Sequence, residues 1–202
     1  MQLIMAWKKK DYDNDAENLL LLANVNNLQQ LDSLSIQKGY KYKRFNKMAH
    51  FLYHIKDLEG IGLELAFGFG ESLAILFETY PKLIMDCFDF SRSVRKLIPI
   101  FKSEYPRIRH IWVGRCEQIP IKNNQYDFIN AQSIFEHLNN EQFHLTLQEC
   151  FRVLKPNGIM GVWVDQGNDG KQHIRCKPHN LAAKEISKYG FKPLTDHIFR
   201  KE

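Results

Sequence analysis

The feature that most constrains this chain is the stretch GLELAFGFGESLAILF, Gly62 to Phe77. Apolar residues alternate with Gly62 and Glu64, two glycines follow two residues apart, and an amphipathic run starts at once. Such an order reads as a buried strand, a tight turn and a helix whose N-terminus faces the turn. In an open α/β sheet, ligands bind at the carboxyl ends of the strands, so this turn must let a ligand touch the backbone. A Cβ at Gly68 or Gly70 would fill that space, and glycine also reaches dihedrals that other residues avoid. The helix start adds unpaired N–H groups and a partial positive charge.

Beyond the turn the alternation repeats. LIMDCFDF reads as a strand, and SRSVRKLIPIFKSEY as a helix that Pro99 must kink or break. RIRHIWVG and YDFINAQ read as strands, and NEQFHLTLQECFRVL as an amphipathic helix stopped by Pro156 and Gly158 in KPNG. IMGVWVDQ is a strand, NLAAKEISKYG a helix, and FKPLTDHIFR one last strand. Near-continuous apolar strands alternating with helices predict an α/β fold with a doubly wound, mostly parallel sheet. The chain stops just after what reads as the sixth strand, which predicts a shortened C-terminal sheet edge. Residues 15–30 and 39–57 read as helices, so the expected organisation is an N-terminal helical segment, 1–57, and an α/β domain, 58–202. The segment is expected to lid the pocket with an aromatic underside of Tyr40, Tyr42, Phe45 and Tyr53, and Arg44 is placed to meet a ligand.

Composition excludes several classes. With 44 % hydrophobic residues the chain is expected to pack a core, yet no apolar run approaches the roughly 20 residues of a membrane span. Met1 to Trp7 is too short for a signal-peptide core, and its lysines follow it. A cytoplasmic protein is expected. The four cysteines contain no CxxC pair, so neither a zinc ribbon nor a redox dithiol is indicated. HIRCKPH, His173 to His179, lacks a fourth ligand, and no metal is expected. The net charge of +5 is a modest surplus without the aromatic pattern of an RNA-binding sheet.

Two carboxylates identify the ligand expected at the glycine turn. Asp89 ends the second strand about 20 residues after the glycines, where it can accept both hydroxyls of a ribose. Glu64 lies inside the first strand, where it would repel a pyrophosphate but suits a cofactor carrying an amine and a sulfonium. A dinucleotide fingerprint G-x-G-x-x-G/A fails at Leu73, which is too large for that position. No Tyr-x-x-x-Lys pair supports a nicotinamide enzyme. The cofactor expected is S-adenosyl-L-methionine.

The chain resembles the class I S-adenosylmethionine-dependent methyltransferases, in particular the type 11 group, well over residues 61–165 and loosely elsewhere. LELAFGFG is similar to the family's E/D-x-G-x-G-x-G motif, with Ala66 for the first glycine, and DCFDFS to its ribose motif. VGRCEQIP is similar to G-D-A-x-x-L-P, YDFINAQSIFEHL to F-D-x-V…E-H-L, and ECFRVLKPNGIMGVWV to the R-V-L-K-P-G-G lead-in. The resemblance implies a Rossmann-like methyltransferase fold and a cofactor site of Glu64, Ala66, Phe67, Gly68, Gly70, Asp89, Phe90, Arg115, Cys116 and Gln132. Arg115 departs from the family, which usually offers an aspartate to the adenine amine. It either stacks on the adenine or turns to solvent while the Cys116 backbone N–H holds the ring.

Methyl transfer needs chiefly an aligned nucleophile, and a hydroxyl acceptor also benefits from a base. His137, in FEHL, and His173, in the loop after the fifth strand, are the candidates, and Asp165 is placed to face the pocket. NAQS at Asn130 to Ser133 is not the N/D-P-P-Y/F tetrad of base and amide N-methylating relatives, which disfavours nucleic acid without excluding it. The polar loop after VWVD suits a small-molecule or glycan acceptor, methylated on O or N. The competing expectations are a non-catalytic cofactor-binding partner subunit and an RNA methyltransferase. An open sheet edge would invite a second copy of the chain as a homodimer.

Overall fold

A computed structural model of the chain describes residues 25–27, 29–30, 40–91, 93–166 and 174–202. Its centre is one seven-stranded sheet in the order β3-β2-β1-β4-β5-β7-β6. The strands are β1 Gly60–Leu65, β2 Leu83–Asp89, β3 Ile108–Val113, β4 Tyr126–Gln132, β5 Leu154–Trp163, β6 Phe191–Thr195 and β7 Ile198–Lys201. Neighbours from β3 through β5 are parallel, whereas β7 runs antiparallel to both β5 and β6. Chain order reverses between β1 and β4, and that break opens the crevice where a ligand can sit.

Among the described residues, these α-helices accompany the sheet: α1 Tyr40–His54, α2 Glu71–Thr79, α3 Ile98–Glu104, α4 Asn140–Val153 and α5 His179–Ile186. One buried layer joins Met48 and Phe51 of α1, Leu73, Leu76 and Phe77 of α2, and Ile100 and Phe101 of α3 to Met85, Cys87 and Phe128. The other joins Phe143, Leu147 and Cys150 of α4 and Ala182, Ala183 and Ile186 of α5 to Leu63, Leu65, Ile129 and Ala131. Helix α4 starts on a capping box: Asn139 Oδ1 accepts the Gln142 N–H at 2.9 Å, and Gln142 Oε1 accepts the Asn139 N–H at 3.1 Å. Pro99 begins a helix: a 3-10 turn at Ser93–Lys96 comes first, and α3 starts with Pro99 in its opening turn, where no intrahelical N–H is missed.

Three expectations are corrected. FKPLTDHIFR is a hairpin, so the sheet has its seventh strand and its C-terminal edge is not shortened. The turn closes without glycine because Thr195 Oγ1 accepts the His197 N–H at 3.1 Å, a hydroxyl standing in for a turn carbonyl. Helix α4 ends at Val153, before KPNG, and β5 already begins at Leu154 opposite Tyr126. Finally, Tyr53 is 70 % exposed, under the Lys56 ammonium, and lines no underside. The buried face of α1 is Met48 and Phe51, the latter against Phe128 at 5.0 Å between ring centroids. The side chains of Tyr40, Tyr42, Arg44 and Phe45, and most of the helix read over 15–30, lie outside the described residues. Among the described residues no helix is long and apolar enough to cross a membrane.

Candidate active site

The crevice beside β1 is bordered by the turns that follow β1 and β4. After β1 the backbone takes positive φ at Ala66 (57°), Gly68 (53°) and Gly70 (83°), which turns the chain sharply into α2. The Gly68 N–H donates to Asp89 Oδ2 at 3.0 Å, and the Ser91 N–H donates to Asp89 Oδ1 at 2.8 Å. Asp89 is thereby fixed at the carboxyl end of β2, beside the turn. The two glycines have different jobs. A Cβ on Gly68 would meet no heavy atom within 4 Å, so that position borders open space. A Cβ on Gly70 would collide with the Phe101 ring, so Gly70 is required by the packing of α3 on the turn. Phe67 likewise turns into the core, edge-on to Phe101 at 5.6 Å.

The floor of the crevice is polar and ordered. Glu64 pairs with Asn130 in the β1–β4 register. Its Oε2 accepts the Asn130 Nδ2–H at 2.7 Å, and Asn130 Oδ1 accepts from Gln132 Nε2 at 2.9 Å. All three are buried. A carboxylate inside a strand is thus held by an amide relay that ends at the last residue of β4. On the other side, Phe90 is 46 % exposed directly after Asp89. Arg115 pairs with Glu117 across 3.3 Å, and Cys116 is buried in the core, where burial pushes its thiol well above the usual range. The loop carrying Arg115 and Cys116 is anchored from α4. Glu149 Oε2 accepts the Ile119 N–H at 2.7 Å, and Arg152 donates to the Ile119 and Ile121 carbonyls at 2.9 and 2.6 Å.

The other turn follows β4. Ser133 takes φ 56°, and a 3-10 turn runs from Phe135 to His137. His137 is exposed on that turn, and His173 lies outside the described residues. The sequence reading passed over two features here. Lys47 of α1 donates to Ser133 Oγ at 2.6 Å and to Asp165 Oδ2 at 2.7 Å, clamping α1 to the carboxyl ends of β4 and β5. Glu136 is fully buried next to His137, and burial pushes its carboxyl up to about 7. Lys47 and Asp165 are 118 residues apart, so no spacing betrays the pair. Glu136 was visible only as the acid of FEHL.

The chain is similar to known proteins in sequence and in fold. A family model described as a methyltransferase domain (Methyltransf_11) matches residues 63–162. A sequence of Schizosaccharomyces pombe described as an uncharacterized methyltransferase is 26 % identical over 150 residues, which are 68 % of this chain and 57 % of that protein. A demethylmenaquinone methyltransferase of Chlamydia caviae is 27 % identical over 175 residues, 81 % of this chain and 72 % of that one. The match therefore spans little more than half of the yeast relative's length. Among solved structures, the 1,6-didemethyltoxoflavin-N1-methyltransferase of Burkholderia thailandensis, with S-adenosylhomocysteine bound, superposes with a TM-score of 0.68 at 13 % identity. That superposition covers 98 % of this chain and 93 % of the other.

Proposed function

Because this chain belongs to the class I S-adenosylmethionine-dependent methyltransferases, we propose that it methylates an oxygen or nitrogen of a small polar metabolite or sugar. One observation carries the reading. The Gly68 turn borders open space on one side and holds the Asp89 carboxylate on the other, 3.0 Å from its own N–H. A nucleoside fits there: a carboxylate at the end of β2 takes ribose hydroxyls, and the bare backbone at Gly68 leaves room for what they carry.

The remaining assignments follow from position. Phe90, exposed beside Asp89, offers its ring face to the adenine, and the backbone of Cys116 borders its edge, with Arg115 turned to Glu117. Glu64 and Gln132, with the turn backbone that begins at Ala66, border the end where the amine and sulfonium belong, whereas the Phe67 side chain and the Cβ position of Gly70 face Phe101 in the core. The cofactor supplies a methyl carbon made electrophilic by its attachment to a sulfonium. The chain's own task is to hold the acceptor in line with it and to exclude water. Lys47, by tying α1 to Ser133 and Asp165, closes the acceptor side, and His137 stands at its rim.

Arg115 and a short C-terminal sheet edge are the two grounds for a non-catalytic partner subunit; β7 removes the second, and Arg115 remains the first. The deciding experiment is a calorimetric titration with S-adenosylhomocysteine. Saturable binding is expected, and no binding at millimolar concentration would sink the reading.

A further inference from the structure

Among the described residues, Glu136 is the one buried acid at the carboxyl ends of β4 and β5 that the proposed reaction does not yet use. Neither of its carboxyl oxygens makes a hydrogen bond of full geometry among the described residues, although the backbone N–H groups of Glu136 and Asp165 favour its charged form, and the residue is 0 % exposed. Leaving a buried polar group unpaired is costly, and nearly all such groups find partners. The position is not an accident of a loose loop. Glu136 lies in the 3-10 turn after β4, and its carbonyl accepts the N–H groups of Ile174 and Arg175 at 2.8 and 3.1 Å.

Its surroundings indicate what is missing. Lys47 places an ammonium in this corner, held by the Ser133 hydroxyl and the Asp165 carboxylate. Burial pushes the Glu136 carboxyl up and the Asp165 charge adds to it, outweighing its own backbone N–H, the Lys47 charge and the Asp165 backbone N–H, which pull it down. The charge of Lys47 is engaged with Asp165, so among the described residues an ionised Glu136 adds a negative charge in want of its own cation.

We propose that Glu136 seats the protonated amine of the acceptor, which makes the substrate class an aliphatic amine. A hydroxyl donates one hydrogen and brings no charge, whereas an ammonium brings up to three donors and the compensating charge. The same carboxyl is placed to take the proton that the ammonium must shed before its nitrogen has a lone pair: an N–H bond breaks and an O–H bond forms on Glu136. A carboxyl near neutrality suits both roles. The inference rests on the methyltransferase reading and narrows it from oxygen or nitrogen to nitrogen.

The test uses protein saturated with S-adenosylhomocysteine and ligand-observed NMR with two matched pairs, ethanolamine against ethylene glycol and cyclohexylamine against cyclohexanol. The amines are expected to bind and the alcohols not. Glu136→Gln should weaken amine binding at least tenfold and leave S-adenosylhomocysteine affinity within twofold. That variant should also melt no lower than the wild type at pH 8, because its amide has no charge to bury, so loss of binding is not loss of fold. At pH 6.5, amine binding to the wild type should expel a proton, read as a calorimetric heat that changes with the buffer. Alcohols that bind as well as amines, a Gln variant that keeps amine affinity, or amines that do not bind at all would each overturn the proposal. Failure to bind S-adenosylhomocysteine is a separate result, which removes the methyltransferase reading and this proposal with it.

Discussion

The Gly68 N–H and Asp89 Oδ2 lie 3.0 Å apart, so the turn after β1 is tied directly to the last residue of β2. A single carboxylate therefore shapes the turn and faces the proposed ribose position. Asp89→Ala should weaken S-adenosylhomocysteine binding by about 1–3 kcal/mol, the usual cost of losing hydrogen bonds to a charged acceptor. Asp89→Asn, which keeps one acceptor oxygen, should fall between. Calorimetry checks both, and an Ala variant within threefold of the wild type would remove Asp89 from the site.

Gly68 and Gly70 are two residues apart and should respond oppositely to the same change. Gly68→Ala adds a methyl group to open space, at the cost of about 1 kcal/mol for a positive φ. Its fold should survive and its cofactor affinity should drop. Gly70→Ala drives a methyl group into the Phe101 ring at φ 83°, so it should lower thermal stability by clearly more than Gly68→Ala does. Melting curves and titrations on the two variants separate ligand space from packing space. Equal losses of stability would refute the division of labour.

Four histidines form a chain on the α1 side of the β6–β7 hairpin. The ring centroids of His50 and His54 are 4.5 Å apart, those of His50 and His197 4.7 Å, and those of His197 and His179 4.2 Å. Trp163 stacks on His197 at 4.5 Å, Thr195 Oγ1 lies 3.2 Å from His50 Nε2, and Asp196 adjoins the turn. Burial, then the neighbouring imidazoles, lower His197 to about 4, while Asp196 opposes them, and His50 is lowered for the same first reason. A histidine depressed in the folded state stabilises above its unfolded value, near 6.5, and that stability is lost as pH falls through the folded value. The melting temperature should therefore decline between about pH 6.5 and pH 4. His197→Phe keeps a ring against Trp163 and should flatten the decline. An equally steep decline in that variant would place the acid sensitivity elsewhere.

The parts legible in the sequence are those whose environment is written locally. β1, β2 and β4 are buried on both faces, so their apolar runs state their class, and Asn139 to Gln142 spells out a helix start. The β6–β7 hairpin is silent because its turn uses a threonine hydroxyl where glycine or asparagine would have announced it, and because exposed Lys192 and Leu194 give no alternation. At the site, Gly68 and Asp89 follow from the strand-turn-helix order and the distance to the next strand end. Lys47 with Asp165, and the solitude of Glu136, come from pairing elements far apart in the chain, which no local pattern encodes.

Lys201, the penultimate residue, does for the C-terminal edge what Asp89 does for the turn. Its ammonium donates to the Phe151 carbonyl at 2.6 Å, the Leu154 carbonyl at 2.7 Å and Asn124 Oδ1 at 2.8 Å, and it lies over the Phe151 ring. Phe151 and Leu154 straddle the end of α4, where carbonyls lack intrahelical partners and the helix dipole favours a cation. Three bonds from one buried ammonium thus hold β7, the α4 terminus and the loop before β4 together. Lys201→Met keeps most of the stem's packing but leaves those acceptors unpaired, so urea denaturation should show a loss of about 2–3 kcal/mol. S-adenosylhomocysteine affinity below the melting transition should stay unchanged, since the residue lies on the sheet's far flank from Gly68. A loss under about 0.5 kcal/mol, in the range of an ordinary surface substitution, would mean that the hairpin is held by Ile198 and Phe199 alone.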